Sequence, residues 1–143
     1  MKRAAAVVAV AATIVLTGCA AGVDELRVTI DGVMVTAEQA ATPETQREGL
    51  SGRDSVPEGT GMWFPIEPAQ RTEVWMQETR VPLDVVWIRE GRVTGVVTLQ
   101  PCSSDPCPRE ASPGVVDAIL EAAAGTFDNV ATGAAVDVTR STP

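Results

Sequence analysis

The fold is decided by the stretch Val74-Trp75-Met76-Gln77-Glu78-Thr79-Arg80-Val81-Pro82-Leu83-Asp84 and by the apolar run Val85–Ile88 that follows it. Residues 72–77 alternate between apolar and polar side chains, which predicts a strand with Trp75 on its more polar face. The run after Asp84 is apolar at every position, and this composition is typical of a strand buried on both faces. We therefore expect two strands here, the second of them in the centre of a sheet.

Two turn signals outside this stretch predict tight β-hairpins. Asp31-Gly32 interrupts an alternating pattern over residues 26–35, and Glu90-Gly91 separates two apolar segments within residues 84–99. Such dipeptides favour the left-handed backbone that a two-residue hairpin turn requires. A last alternating strand is expected at residues 134–139.

Helix signals are few and short. Thr42 is a candidate N-cap and Pro43 suits the first helical position, so a helix of about two turns is expected within residues 40–50. One further helical turn is expected at residues 125–130. Residues 115–124 are ambiguous, because their alanine content favours a helix while their apolar spacing also fits a buried strand.

Five short motifs follow one another in a characteristic order along the chain: Thr42-Pro43-Glu44-x-x-Arg47-x-Gly49-Leu50-x-Gly52-Arg53, Gly61-Met62-Trp63-Phe64, the block over residues 74–84, Gln100-Pro101-Cys102 and Asp105-Pro106-Cys107-Pro108. Their order and spacing resemble the bacterial and archaeal family called domain of unknown function 192. The similarity spans about residues 33–138. The chain departs from the family pattern at Gln77-Glu78, where the family commonly has Lys-Asn.

The resemblance implies an α+β domain: a compact, mostly antiparallel and barrel-like β-sheet with one or two short helices. It also implies that residues 115–124 form a strand, because the family's Leu-Glu pair, here Leu120-Glu121, lies in one. Family members are often exported. No accepted activity accompanies the family, so the resemblance implies a fold and not a function.

The beginning of the chain carries the features of a bacterial lipoprotein signal. Lys2 and Arg3 precede the uncharged run Ala4–Leu16, which is shorter than the roughly 20 residues of a membrane span. The next residues complete Leu16-Thr17-Gly18-Cys19, which resembles a lipobox. In such a motif the cysteine thiol receives a diacylglyceryl group and the residue becomes the new N-terminus.

These features divide the chain into three expected segments. They are a signal peptide over residues 1–18, a lipidated tether over residues 19–25 and a single domain over residues 26–143. We expect the protein to be extracytoplasmic and attached to the cell membrane through the lipid on Cys19. The domain itself is expected to be a monomer held close to the bilayer by its short tether.

The composition excludes several classes of function. The chain has 11 basic and 19 acidic residues, a net charge of −8, and no His. So acidic a chain lacks the basic surface that binds nucleic acid, and no nucleic-acid partner is expected. The lack of His excludes Ser-His-Asp and Cys-His catalysis and most zinc or iron sites, so neither a metal nor a cofactor is expected.

Cys102 and Cys107 enclose four residues in a proline-rich loop. Outside the cytoplasm, such a pair favours a local structural disulfide. The alternatives are a redox-active pair and a thiolate metal site. The first lacks both the Cys-x-x-Cys spacing and a nearby Lys or His that would lower a thiol pKa, and the second fills only half of a tetrahedral coordination shell.

Five residues are candidates for a ligand pocket: Arg53, Trp75, Thr79, Asp84 and Glu121. Pockets combine apolar surfaces with a few convergent polar groups, and Trp75 is the best candidate for stacking. Three of the five have structural alternatives: Arg53 could pair with a local acid, the Asp84 carboxyl could accept backbone N–H groups, and Trp75 could belong to the hydrophobic core. Asp84 and Glu121 could also serve as acid and base in sugar hydrolysis.

Three hypotheses of function follow from these observations. The depletion of the usual catalytic side chains favours a non-enzymatic binding or accessory module of the cell envelope, with an envelope ligand or a membrane-protein partner. The second hypothesis is a carboxylate-dependent enzyme that acts on cell-envelope carbohydrate. The third is a structural partner of a membrane complex.

Overall fold

The computed structural model describes residues 25–140, and the lipobox and signal peptide predicted around Cys19 lie outside these described residues. Within them the chain forms nine strands and one short helix. In chain order these are β1 (Glu25–Ile30), β2 (Val33–Gln39), α1 (Pro43–Glu48), β3 (Thr60–Gln70), β4 (Glu73–Trp75), β5 (Leu83–Arg89), β6 (Arg92–Leu99), β7 (Arg109–Ala111), β8 (Val116–Ala123) and β9 (Val136–Arg140).

Seven of the strands form one curled sheet in the order β6-β5-β8-β3-β2-β1-β9, and β4 and β7 form a separate two-stranded sheet. All neighbouring strands are antiparallel except β2 and β3, which are parallel. The curl brings the two ends of the large sheet together. Arg92 forms a β-bridge with Ala135, and the Val136 N–H donates to the Gly91 carbonyl at 2.9 Å. The prediction of a mostly antiparallel, barrel-like domain is therefore confirmed in outline, as a half-barrel.

Both predicted hairpins are present, and their turns have the backbone that the dipeptides favour. Asp31 and Gly32 have φ angles of 48° and 80°, while Glu90 and Gly91 have φ angles of 50° and 69°. Two successive residues with positive φ match the twist of the flanking strands. The turns join β1 to β2 and β5 to β6.

The helix predictions are only partly correct. Helix α1 begins as expected, since the Thr42 hydroxyl accepts a hydrogen bond from the Thr45 N–H and Pro43 is its first residue. Residues 115–124 form strand β8 over Val116–Ala123, as the resemblance implied. The helical turn predicted at residues 125–130 is wrong. This segment forms non-helical turns, in which the Thr126 hydroxyl donates to the Ala123 carbonyl at 2.6 Å.

The large sheet has a hydrophobic core on each face. Val86 and Leu120 belong to the core inside the curl, whereas their chain neighbours Val85 and Ile119 belong to a second core on the opposite face. Helix α1 and the β4–β7 sheet lie on this second side. Because both faces are covered, residues 83–88 of β5 are all buried, which explains the unbroken apolar run over residues 85–88. Strand β5 is paired on both edges, although it is second in the sheet and not at its midpoint.

Candidate functional site

A cavity of about 180 Å³ opens on the second face of the large sheet, between helix α1 and strand β4. We call it the α1–β4 cavity. Phe64, Ile66, Leu83 and Ile119 provide apolar surface from three strands of the large sheet. All residues from Thr72 to Met76 also line it, so the cavity runs along the whole of β4.

Side-chain hydrogen bonds hold α1 and the turn after it against the sheet. The Gln46 side-chain amide donates to the Ala40 carbonyl at 3.3 Å and to the Pro65 carbonyl at 3.0 Å. After the helix, the Ser51 hydroxyl donates to the Gln77 carbonyl at 3.1 Å, and the Gly52 N–H donates to the Glu78 carbonyl at 2.9 Å. These contacts join the segments on both sides of the cavity, so its shape is built into the fold.

Glu121 presents a carboxyl group to the cavity from the large sheet. In the register it lies between Met62 of β3 and Val85 of β5, and paired residues point to the same face. Glu121 is only partly exposed, and it lines the cavity. Burial raises the pKa of the Glu121 carboxyl to about 7, and no hydrogen bond or charge of the described residues opposes that shift. This carboxyl therefore changes its protonation state near neutral pH.

Trp75 lines the cavity from β4 and is 38% exposed. The Arg109 guanidinium of β7 lies over one face of its ring, 3.8 Å from the ring centroid. The same guanidinium lies 3.6 Å from the Glu73 carboxylate. Trp75 is thus held in place by a cation–π contact across the β4–β7 sheet, which suits a fixed wall of a binding site.

Thr79 also lines the cavity and is buried. Its hydroxyl donates to the Gln77 carbonyl at 3.5 Å, which is long for such a bond. The hydroxyl therefore has hydrogen-bonding capacity left for a ligand. Of the five residues predicted for a pocket, the structure brings Trp75, Thr79 and Glu121 together.

Arg53 does not line this cavity, and its placement corrects the predicted pocket. Its guanidinium donates two hydrogen bonds of 2.8 Å to the Glu38 carboxylate on β2. The Arg53 hydrogen bond lowers the pKa of Glu38, while the Glu38 carboxylate raises the pKa of Arg53. Arg53 therefore pairs with an acidic side chain, which was the structural alternative to a role in the pocket.

Asp84 is likewise outside the cavity, on the opposite face of the sheet from Glu121. It pairs with Ala122, the neighbour of Glu121 in β8, and successive residues of a strand point to opposite faces. The Asp84 carboxylate is 1% exposed and accepts hydrogen bonds from the Thr98 hydroxyl at 2.7 Å and the Phe127 N–H at 2.8 Å. Because Asp84 and Glu121 face different cores, they cannot act as acid and base on one sugar.

Cys102 and Cys107 form a disulfide, with their Cα atoms 5.7 Å apart. The bond closes the loop between β6 and β7, and both cysteines pack against the second hydrophobic core. Neither cysteine lines the α1–β4 cavity. The predicted disulfide is therefore present, outside the cavity lining.

Sequence reasoning missed the charged residues at the mouth of the cavity. Arg47 and Glu48 of α1 and Glu73 of β4 line it and are exposed. In the sequence these residues look like the ordinary polar surface of a short helix and an edge strand, and no local signal distinguishes them from other surface residues.

Within residues 25–140, no group of three or more His, Cys, Asp or Glu is placed to hold a metal ion. No helix in the same range has the length and apolar character needed to cross a membrane.

Comparisons with known proteins agree with this architecture. The family described as "Uncharacterized ACR", domain of unknown function 192, matches residues 26–138. No curated protein matches the chain.

Two crystal structures share the fold. One is a protein of unknown function from Novosphingobium aromaticivorans DSM 12444, with a TM-score of 0.72 and 25% identity over 83% of this chain and 89% of that one. The other, from Sinorhizobium meliloti 1021, is provisionally described as a transcription regulator, with a TM-score of 0.69 and 23% identity over 80% of this chain and 92% of that one.

Proposed function

The chain belongs to the uncharacterised family domain of unknown function 192, and from that premise we propose that it is a non-enzymatic binding module of the cell envelope. In this proposal residues 26–143 take a small ligand in the α1–β4 cavity. The module is exported, and a lipid on Cys19 anchors it to the membrane. Its partners are therefore the membrane, through that lipid, and an envelope ligand.

One observation carries the binding proposal: the Glu121 carboxyl faces a preformed cavity without a protein partner among the described residues. Around it, Trp75 and Phe64 supply aromatic surface and Thr79 supplies a hydroxyl. Ligand sites commonly join apolar walls to a few convergent polar groups in this way. The volume of about 180 Å³ is smaller than the roughly 300–1,000 Å³ typical of sites for drug-sized ligands, which favours a small molecule or a single side chain.

The non-enzymatic part of the proposal is supported by the positions of the carboxyl groups. Asp84 and Glu121 lie on opposite faces of the sheet, so the paired carboxylates of a glycosidase are not available from these two residues. The chain also lacks His, the commonest general base. The net charge of −8 gives no support to nucleic-acid binding, so the description of the Sinorhizobium protein is not carried over.

A thermal-shift screen of the mature chain tests the binding proposal. The panel contains envelope sugars, nucleotides, organic acids and aliphatic amines. A ligand at 100 times its Kd stabilises the folded state by about 2.7 kcal/mol, which raises Tm by several degrees for a domain of this size. The shift should be lost in Trp75→Ala and kept in Arg53→Met, since only the first residue lines the cavity. A flat response to the whole panel would contradict small-molecule binding and favour a protein partner in a membrane complex.

The anchoring proposal has its own test. Metabolic labelling with a fatty acid should mark the wild-type protein and leave Cys19→Ala unlabelled. Cys102→Ser is the matched control, because it also removes one cysteine but should keep the label. Normal processing and export of Cys19→Ala without lipid would instead indicate an ordinary secreted protein.

A further inference from the structure

We infer that the α1–β4 cavity binds an alkylammonium group, that is, a protonated amine at the end of a short apolar chain. A free aliphatic amine and a lysine side chain both present this chemistry. The inference rests on the proposed function, because it names the class of ligand for the same cavity. It is carried by the balance of charges around the cavity and by the chemistry of its walls.

The charged residues that line the cavity are mostly acidic. Arg47 and Glu48 are adjacent on α1, and both line the mouth. On the opposite side, Glu73 lies 3.6 Å from Arg109. Of the charged residues that line the cavity, Arg47 is cationic while Glu48, Glu73 and Glu121 are anionic. Even when Arg109 is counted as the partner of Glu73, the acids outnumber the cations by one.

No charge of the large sheet compensates Glu121 either. Its neighbours across the strands, Met62 and Val85, are apolar. The next residue in that row is Glu38, which pairs with Met62 and lies two strands, about 10 Å, from Glu121. Glu38 is already neutralised by its two hydrogen bonds from Arg53.

An ionised carboxylate in such surroundings is costly unless a cation pairs with it. No cation of the described residues lowers the pKa of Glu121, although Arg47 also lines the cavity, and Glu121 is part of the cavity lining. A ligand ammonium would supply the missing partner. Above pH 7, where Glu121 is mostly ionised, a ligand carboxylate would face a like charge, and a ligand hydroxyl would leave the Glu121 charge uncompensated.

The walls fit the rest of such a ligand. Ile66, Leu83 and Ile119 offer apolar surface for methylene groups. Phe64 and Trp75 present aromatic rings, which attract cations as well as apolar chains. A linear amine therefore matches both the chemistry and the small volume of the cavity.

The protonation of Glu121 gives this inference a distinctive signature. Since burial raises its pKa to about 7, Glu121 is mostly neutral at pH 5.5 and mostly ionised at pH 8.5. An aliphatic amine stays protonated over this range, because its pKa is near that of lysine, about 10.4. Only the ionised form of Glu121 pairs with the amine, so the affinity should increase about 30-fold from pH 5.5 to pH 8.5.

Titration calorimetry of the mature, lipidated protein in detergent tests the inference. The probes are n-pentylamine, the neutral 1-pentanol and the anionic pentanoate, together with lysine blocked at its α-amino and carboxyl groups. We expect the amine to bind and the alcohol and the acid to bind at least tenfold more weakly. Glu121→Gln should lose amine binding. The matched control is Glu38→Gln, which makes the same change on the same sheet face outside the cavity and should keep it.

A second readout does not depend on any variant. At pH 7 each bound amine should release about half a proton from Glu121, measured as a dependence of the binding heat on the ionisation enthalpy of the buffer.

The two amine probes distinguish the source of the ligand. Equal binding of n-pentylamine and blocked lysine indicates the shared ammonium chemistry. Preference for n-pentylamine assigns the site to free amines, and preference for blocked lysine assigns it to peptide side chains.

The opposite results are equally clear. Amine binding without proton release, or with unchanged affinity in a folded Glu121→Gln protein, would overturn the inference. If instead 1-pentanol, pentanoate or a sugar binds and Trp75→Ala abolishes that binding, the cavity is a ligand site but not one for amines. If no compound of either panel binds, both the inference and the proposed binding function fail.

Discussion

Asp84 and Glu121 lie on adjacent strands of one sheet and face opposite cores, because Asp84 pairs with Ala122 while Glu121 pairs with Val85. The Asp84 carboxylate accepts two hydrogen bonds and is enclosed. The Glu121 carboxyl faces a cavity and has no such partners among the described residues. Two carboxyl groups that look alike in the sequence therefore have different surroundings, and the first two predictions test the consequences.

Asp84 should matter for stability. Asp84→Ala leaves the buried Phe127 N–H without its acceptor and should lower the free energy of unfolding by roughly 1–3 kcal/mol in urea denaturation. Asp84→Asn should cost less, because its amide oxygen can still accept from Phe127. Asp137→Ala is a control at an exposed aspartate that accepts no side-chain hydrogen bond among the described residues. Equal stability of Asp84→Ala and wild type would show that the hydrogen bond does not support the fold.

Glu121 should make the free energy of unfolding depend on pH. Its pKa is about 7 in the folded protein and 4.5 in the unfolded chain. Between these values the folded state keeps a proton that the unfolded state has lost, so stability should fall as pH rises, by about 3 kcal/mol in total. Urea denaturation from pH 5 to pH 8 measures this fall. This fall in stability should be absent in Glu121→Gln and present in Glu38→Gln. Parallel curves of unfolding free energy against pH for Glu121→Gln and wild type would show that Glu121 is not the titrating group.

The Arg53–Glu38 pair should contribute little to stability and nothing to the cavity. Both side chains are 36% exposed, so Arg53→Met should lower the free energy of unfolding by about 0.5–1 kcal/mol. Because the pKa of Glu38 is lowered from 4.5, this contribution is present above pH 4.5 and is lost as pH falls through the lowered value. Denaturation at pH 7 and pH 3 checks both statements. A loss of ligand binding in Arg53→Met would show that Arg53 belongs to the binding site.

Gly61 is required by the close approach of β3 and β8. A Cβ atom at this position would overlap the Glu121 carbonyl oxygen, so Gly61→Ala must push the two strands apart. Overpacking of this kind typically costs about 1–3 kcal/mol. Gly114→Ala is the matched control, since its Cβ would have no neighbour within 4 Å. Equal Tm values for the two variants would show that the strands adjust freely.

Glu78 has a φ angle of 58°, in the left-handed region that a glutamate adopts only at a cost. Its carbonyl accepts from the Gly52 N–H, which ties this turn to the segment after α1. The family that the sequence resembles commonly has Asn here, a residue that tolerates this backbone. Glu78→Asn should therefore raise stability by about 0.5–1 kcal/mol in thermal denaturation. Gln77→Asn is the control, because Gln77 does not have a positive φ angle, and it should not raise stability. An unchanged Tm for Glu78→Asn would contradict this explanation.

The features that the sequence predicted correctly are those with local causes. Asp31-Gly32 and Glu90-Gly91 adopt the positive φ angles that such pairs favour, and Thr42 caps the helix that Pro43 begins. Each of these signals acts within about four residues. The helical turn predicted at residues 125–130 failed because contacts with the end of β8 outweigh its weak propensity.

The sequence by itself predicted both hairpins, the buried strand β5, the start of α1 and the disulfide between Cys102 and Cys107, because these features depend on residues close together in the chain. Only the tertiary structure decided which residues share the candidate site. Strand alternation predicts that Asp84 and Val85 point to opposite faces, but not which face α1 and β4 will cover. Likewise, the pairing of Arg53 with Glu38 and the isolation of Glu121 depend on strands brought together from distant parts of the chain. Whether a side chain is neutralised or left facing a cavity is settled by these non-local contacts.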